Sequence, residues 1–197
     1  HHNAYDMDMV LRIAPETYLK RLIGGGFERV FETAKCFRNE GSDPSHHQEF
    51  TQIEYYVAYK DYEWNMDFTE KFLRAVLQKT FGKLQFEVIG KTCSAHTIDL
   101  SQAIPRYKIT DLIKQKTGID VLEFNEAKDL VKVMQSKNIQ VEEADKKGIG
   151  TLIDELYKHA VRPDLIAPCF ITHHTTEMKP LARRNNEDAR LADSFQL

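Results

Sequence analysis

The sequence has few cysteines and no long apolar run. Only three of its 197 residues are cysteine, and Cys36, Cys93 and Cys169 are not closely paired along the chain. Sparse, unpaired cysteines are typical of reducing compartments, so we expect a cytoplasmic protein. No stretch approaches the roughly 20 apolar residues of a transmembrane helix, and the first residues do not form a basic-then-apolar signal pattern. We therefore expect no membrane partner.

A strong excess of one charge is also missing. The formal net charge is -3, with 42% hydrophobic and 29% charged residues, as in ordinary globular proteins. This balance excludes a general electrostatic attraction to nucleic acid, so such a partner requires a local basic patch. The chain is long enough for one domain with an insertion. It starts at His1 without a methionine and ends in an apolar segment, so we expect a piece of a longer protein.

Several common site signatures are absent. There is no Gly-x-x-x-x-Gly-Lys, no Gly-x-Gly-x-x-Gly and no Gly-x-Ser-x-Gly, which disfavours P-loop, Rossmann and esterase sites. The histidine pairs at 46–47 and 173–174 have no cysteine ligands at zinc-binding spacing, so we predict no metal site in this chain.

A β-hairpin signal lies between Phe27 and Tyr56. Two runs rich in β-branched and aromatic residues flank the polar segment 39–48, which includes Gly41 and Pro44. This pattern predicts two long antiparallel strands joined by a long loop. A loop of this length and charge is more often functional than not.

The rest of the chain predicts a mixture of helices and strands. Apolar spacing indicates helices at 17–23, 61–81, 109–117, 125–136 and 149–161, and strands at 84–89, 98–100 and 168–172. In the helix at 61–81, we expect one apolar face formed by Trp64, Phe68, Phe72, Ala75 and Val76. We predict a core at 1–104, a helical insertion at 105–162 and a return to the core at 163–197.

The mouth of the hairpin combines groups suited to a nucleotide. Arg38 offers a planar set of donors for phosphate, Phe50 offers a ring for a base, and His46, Glu40 and Glu49 are close in sequence. The alternative is a solvated loop whose charges pair locally.

Glu54 and Tyr56 lie on one face of the second strand, because residues i and i+2 point the same way. Glu54 stands among apolar and aromatic neighbours, where a buried carboxylate is costly unless a cation pairs with it. A ligand ammonium would serve, and the alternative is an outward, solvated glutamate. Glu16, at the start of the first helix, could also face a ligand ammonium; the alternative is a simple interaction with the helix dipole.

The order of these motifs resembles class II aminoacyl-tRNA synthetases. Motif 2 of that class resembles the series Phe37-Arg-Asn-Glu-Gly41, His46, Glu49-Phe-Thr51, Glu54 and Tyr56. Within the class, the sequence of this series is most similar to the lysyl-tRNA synthetase family. Further matches occur at 11–16, 69–70 and 180–183. The sequence departs from the family at His47-Gln48, where Asn-Pro is usual, and at Lys179, where serine is usual.

The resemblance implies an α+β fold, with a class II antiparallel sheet flanked by helices, a helical insertion and an incomplete core. Motif 1, motif 3 and the anticodon-binding barrel of the family are not in these 197 residues. The implied reaction converts lysine and ATP to lysyl-adenylate and pyrophosphate, and then transfers the lysyl group to tRNA(Lys). The resemblance also implies a homodimer at full length and Mg²⁺ ligands outside this chain. We expect the chain alone to be inactive.

The resemblance assigns a role to each matching residue. Arg38 would bind the α-phosphate and stabilise charge at phosphorus. Phe50 would stack on adenine, Glu40 would assist on the adenine side, and His46 would reach the outer phosphates.

The lysine side of the site would consist of Glu54 for the α-amino group, with Glu16 and Tyr56 for the side-chain ammonium. Two alternatives remain. One is a paralogue that attaches lysine to a protein, such as the elongation factor P lysyltransferase. The other is a non-catalytic module, derived from a synthetase, that binds a partner or nucleic acid.

Overall fold

The computed structural model describes residues 1–39, 41, 46–89 and 95–197. Contacts divide the chain into two units, His1–Asp61 and Tyr62–Leu197. Each unit contains both helices and strands, so the fold is mixed α and β. The boundaries predicted near 105 and 162 lie inside the second unit, and the three-part division stays a prediction.

The first unit consists of one helix and the predicted hairpin. Helix α1 is Glu16–Gly24, strand β1 is Arg29–Phe37 and strand β2 is Glu49–Val57. The two strands are antiparallel, with Arg29 opposite Val57 and Phe37 opposite Glu49. The predicted helix and both predicted strands are therefore confirmed, with bounds shifted by one or two residues.

The hairpin has one covered and one exposed face. Ala34 and Cys36 on β1 are fully buried, whereas Phe31 is 71% exposed and Ile53 is 50% exposed. Successive side chains of a strand alternate between faces, so this pattern separates the even-numbered from the odd-numbered positions of both strands. Helix α1 packs against both strands, with Leu19 as its buried residue. The even-numbered face therefore lies toward the interior of the unit.

The second unit begins with helix α2, Tyr62–Phe81, and the hairpin of β3, Gln85–Ile89, with β4, Ala95–Asp99. Gly82 follows the helix at φ +68°, a left-handed conformation that glycine adopts readily. The predicted apolar face of α2 is only partly correct. Phe68 stacks with its neighbours along the helix, but Phe72 and Val76 are 37% and 42% exposed, and Met66 is the buried residue.

A three-stranded sheet and three further helices complete this unit. Strand β5, Arg106–Lys108, is parallel to β6, Phe170–Thr172, which is antiparallel to β7, Phe195–Gln196. The parallel pair departs from the predicted antiparallel sheet. Helices α3, α4 and α5 are Ile109–Thr117, Ala127–Ser136 and Ile149–Ala160, which confirms the three predicted helices. Short 3-10 turns occupy Val121–Glu123, Ala144–Lys146 and Arg162–Asp164.

The main core of the second unit joins these helices to the sheet. Most of its buried side chains come from α3, α4 and α5 and pack with Ile171 of β6; among them are Ile109, Ile113, Leu130, Met134, Leu152, Ile153 and Leu156. The predicted helical insertion therefore shares one core with strand β6.

The described cysteines, Cys36 and Cys169, are buried and unpaired, and Cys93 lies outside the described residues. Burial raises the pKa of the Cys169 thiol. Among the helices of the described residues, none combines the length and apolar character needed to cross a membrane.

Candidate functional site

The register of the first hairpin places the predicted site residues on its covered face. Phe50 lies opposite Cys36, Glu54 opposite Glu32, and Tyr56 opposite Val30. These positions are all even-numbered, so their side chains point to the same side of the ribbon. Phe50 and Glu54 are separated by four residues of extended chain, or about 13 Å. An aromatic group and an acidic group therefore lie along one face of the same strand.

Arg38 and Phe50 form the aromatic end of this row. The Arg38 guanidinium carbon lies 5.0 Å from the centroid of the Phe50 ring. Its Nε donates to the carbonyl of Ile13 at 3.3 Å, and its backbone amide donates to the carbonyl of Gln48 at 2.9 Å. The Arg38 side chain is exposed, whereas Phe50 is half-buried. A cation and a ring held together at a strand end can bind a phosphate and a base.

Glu54 marks the acidic end of the row. The Tyr56 hydroxyl donates to Glu54 Oε1 at 2.7 Å, and Gln52 Nε2 donates to Oε2 at 3.0 Å. Both donors are neutral, so they orient the half-buried carboxylate without cancelling its charge. A carboxylate fixed in this way suits a cationic ligand. The alternative of an outward, solvated Glu54 is not what the structure shows.

Tyr56 is held as a neutral donor. Burial, the hydrogen bond to Glu54 and the negative charges of Glu54 and Glu16 raise the pKa of Tyr56 well above its usual value. The phenol therefore keeps its proton at physiological pH and continues to donate to Glu54.

Helix α1 brings Glu16 and Lys20 to the same place. The Lys20 ammonium pairs with the Glu16 carboxylate one helical turn away, and its Nζ lies 5.9 Å from the centroid of the Tyr56 ring. The structure thus groups Glu16 with Tyr56, as predicted. It adds Lys20, which the sequence reasoning missed, although the spacing of four residues was a usable signal.

Arg12 and Glu32 form a second pair on this face. Arg12 Nη1 lies 2.6 Å from Glu32 Oε1, and Arg12 Nε donates to the carbonyl of Lys35 at 3.1 Å. The Phe37 amide donates to the Arg12 carbonyl at 2.9 Å, so a backbone hydrogen bond holds the chain at Arg12 against the end of β1. Glu32 lies directly opposite Glu54, where two carboxylates repel each other. The Arg12 guanidinium therefore compensates one of the two adjacent charges.

Three further predicted residues belong to the loop or its edge. Glu40 lies outside the described residues, and His46 is exposed. Glu49 points to the other face of the ribbon and pairs with Lys35 at 2.8 Å. This pair raises the pKa of Lys35 through its hydrogen bond to Glu49. For Glu49, the alternative of a local charge pair at the surface is the correct one.

The histidines of the second unit contact protein groups. His174 is only 2% exposed, and its Nδ1 lies 3.1 Å from Ser194 Oγ. Burial lowers the pKa of His174 to about 4. His173 has φ +56°, its Nδ1 lies 2.9 Å from Thr172 Oγ1, and burial lowers its pKa. Lys179 lies at the surface in a turn, where its amide donates to the Thr175 carbonyl at 3.1 Å.

The donor groups needed for a metal are not gathered in the described part of the chain. Within 1–39, 41, 46–89 and 95–197, no three His, Cys, Asp or Glu side chains lie together as ligands would. The described residues therefore do not fit a Mg²⁺ site.

Comparison with known proteins identifies the family. The family described as tRNA synthetases class II (D, K and N) matches residues 1–197. Among similar proteins, the lysine–tRNA ligases of Porphyromonas gingivalis and Thermosipho africanus are each 42% identical to the chain, and that of Leuconostoc citreum is 41% identical. Each alignment covers 100% of this chain but only 33%, 37% and 38% of the respective relative, so the chain spans about a third of their length. The chain belongs to the class II tRNA synthetases of the D, K and N group.

Proposed function

We propose that this chain is part of a lysine–tRNA ligase, which activates lysine with ATP and transfers it to tRNA(Lys). The observation that supports this choice most is the group formed by Glu16, Lys20 and Tyr56, in which a lysine ammonium already pairs with the Glu16 carboxylate beside the Tyr56 ring. The Glu16 carboxylate would repel the side chain of aspartate, and asparagine would gain no ionic contact from it. Within a family that includes the D, K and N enzymes, it favours a cationic substrate.

On the ATP side, the roles follow from charge and shape. The Arg38 guanidinium neutralises charge that builds on the α-phosphate during in-line attack by the lysine carboxylate, and pyrophosphate leaves on the opposite side. The Phe50 ring stacks on adenine. His46 contacts the outer phosphates, and Glu40 assists on the adenine side. The attacking carboxylate is already ionised, so this step requires no protein base.

On the lysine side, Glu54 binds the α-amino group, while Glu16 and Tyr56 bind the side-chain ammonium. A competitor without a side-chain ammonium would gain no ionic contact with Glu16. Selection of lysine is therefore an electrostatic property of Glu16 beside Tyr56.

The rest of the implied protein lies beyond these residues. We infer that the hairpin belongs to a class II antiparallel sheet whose motifs 1 and 3 and anticodon-binding barrel are supplied elsewhere in the full-length protein. A homodimer, Mg²⁺ bound by ligands elsewhere in that protein and a cytoplasmic location remain predictions. Because these parts are needed to complete the ATP site, we expect the 197-residue chain alone to form no adenylate.

The direct test is amino-acid-dependent exchange between ATP and pyrophosphate by the full-length protein. We expect exchange with lysine and none above background with aspartate, asparagine, arginine or methionine. Exchange that depends on aspartate or asparagine would refute the proposal while leaving the family assignment intact.

Charging of tRNA separates the remaining alternatives. Transfer of lysine to tRNA(Lys) is expected for the ligase. Transfer only to elongation factor P would identify the protein-modifying paralogue, and no adenylate at all would indicate the binding module. The relatives named above are all lysine–tRNA ligases, which disfavours both alternatives.

A further inference from the structure

An ammonium group of the protein already lies where the proposed substrate ammonium binds. Lys20 Nζ pairs with Glu16 and lies 5.9 Å from the centroid of the Tyr56 ring. Glu16 and Tyr56 are the two side chains to which the proposed function assigns the ε-amino group of lysine. Lys20 therefore has the same charged group, the same carboxylate partner and the same aromatic neighbour as that part of the substrate.

We propose that Lys20 is an internal counter-ion which occupies the side-chain subsite and must be displaced when lysine binds, so that Lys20 sets the KM for lysine. This inference depends on the proposed function, because it concerns the same site. Lys20 reaches the subsite from helix α1, which packs on both strands of the hairpin.

The exchange is balanced in charge. In the free protein, the Lys20 cation compensates the negative charge of Glu16. In the complex, the ammonium of the substrate compensates that charge, and the Lys20 side chain rotates into the solvent. Its side chain is 57% exposed, so this rotation does not disturb the buried packing around Leu19. Lysine gains the contact with Glu16 only after Lys20 has lost it, which makes lysine binding weaker than in a site with an unpaired Glu16.

The expected change in lysine affinity is modest, because the Lys20–Glu16 pair is exposed. An ion pair at a spacing of four residues on an exposed helix changes an equilibrium by about twofold, and an exposed cation–ring contact adds about two- to fivefold. Removing the Lys20 cation should therefore strengthen lysine binding by about two- to tenfold.

The test uses Lys20→Met in the full-length protein, which keeps a long unbranched side chain and removes the charge. We expect the KM for lysine in pyrophosphate exchange to fall about two- to tenfold, with kcat and the KM for ATP unchanged. Lys20→Arg should behave like the wild type. Lys158→Met is the matched control, because Lys158 pairs with Asp154 at the same spacing on α5, at 2.7 Å, and should leave the KM for lysine unchanged.

The possible outcomes distinguish a failure of the proposed function from a failure of the role of Lys20. A wild-type protein that does not activate lysine refutes the proposed function and this inference together. A wild type that activates lysine, with a Lys20→Met variant whose KM for lysine is unchanged or higher, refutes only the role of Lys20. An equal shift in Lys158→Met would indicate a general loss of helix stability and would also refute it. If Lys20→Met does not fold, Lys20→Gln provides the same comparison.

Discussion

The Tyr56 hydroxyl donates a hydrogen bond to Glu54 Oε1 at 2.7 Å, between residues that are two positions apart on one face of β2. Gln52, two positions earlier, donates to the other carboxylate oxygen. Three alternate residues of one strand thus form a unit in which two neutral groups orient one negative charge. The proposed binding of the α-amino group of lysine depends on that charge.

Glu54→Gln should raise the KM for lysine in the full-length protein about 10- to 100-fold, because a hydrogen bond to a charged group is worth about 1.5–3 kcal/mol. The KM for ATP should change much less. Glu87→Gln is the matched control: Glu87 also lies on a strand and accepts a hydrogen bond from a neutral side chain, Thr97, at 2.7 Å. An unchanged KM for lysine in Glu54→Gln would show that Glu54 does not contact the substrate.

Phe50→Leu should weaken ATP binding selectively. Stacking of a base on an aromatic side chain is worth about 1–3 kcal/mol, so the KM for ATP should rise about fivefold or more, while the KM for lysine stays near its wild-type value. Phe31→Leu, on the opposite face of the same hairpin, serves as the control. Equal effects of the two substitutions on the KM for ATP would contradict the assignment of Phe50 to adenine.

Gly150→Ala should destabilise the second unit. A Cβ at this position, near the start of α5, would lie 2.5 Å from the backbone carbonyl oxygen of Glu177. Because backbone cannot move aside as a flexible side chain can, the free energy of unfolding should fall by about 1–3 kcal/mol, measured by urea denaturation. Gly24→Ala meets no atom within 4 Å and should change stability little. Equal stability of the two variants would show that α5 does not pack this closely on residue 177.

Stability should depend on pH through His174. Burial lowers its pKa to about 4 in the folded protein, against an ordinary value near 6.5 in the unfolded chain. Between these values the unfolded state binds the proton and the folded state does not, so the stabilisation is complete above about pH 6.5 and is lost as the pH falls toward 4. The loss attributable to this group is at most about 3 kcal/mol.

Denaturation curves at several pH values between 7 and 4 test this dependence on His174. His173, whose pKa is also lowered, adds a change of the same sign. The His174→Gln variant should therefore show a flatter pH profile than the wild type, but not a level one. Identical slopes for the two proteins would contradict the burial of a neutral imidazole at residue 174.

Local patterns were sufficient to predict the first unit. The helix before Gly24, both strands of the hairpin and the shared face of Glu54 and Tyr56 follow from apolar spacing and from the two-residue period of a strand. The roles of the site residues come instead from the resemblance to class II synthetases and stay predictions.

Contacts between distant segments could not be predicted in this way. The pair between Arg12 and Glu32 depends on the path of the chain before α1, and the parallel pairing of β5 with β6 joins segments on either side of three helices. The buried side of α2 was misjudged because burial depends on its packing partners, and Met66 packs with Ile104 and Phe170. Apolar spacing within the helix does not contain that information.

The proposed reaction requires Arg38 to act on the α-phosphate of ATP beside a lysine-binding face. The most direct measurement is the rate of lysyl-adenylate formation by full-length Arg38→Ala, with its thermal midpoint recorded in parallel. We predict a fall of about 10²–10³-fold in rate, the usual cost of removing one group that stabilises a charged transition state, with an unchanged midpoint. A folded Arg38→Ala protein that forms lysyl-adenylate at the wild-type rate would contradict the account.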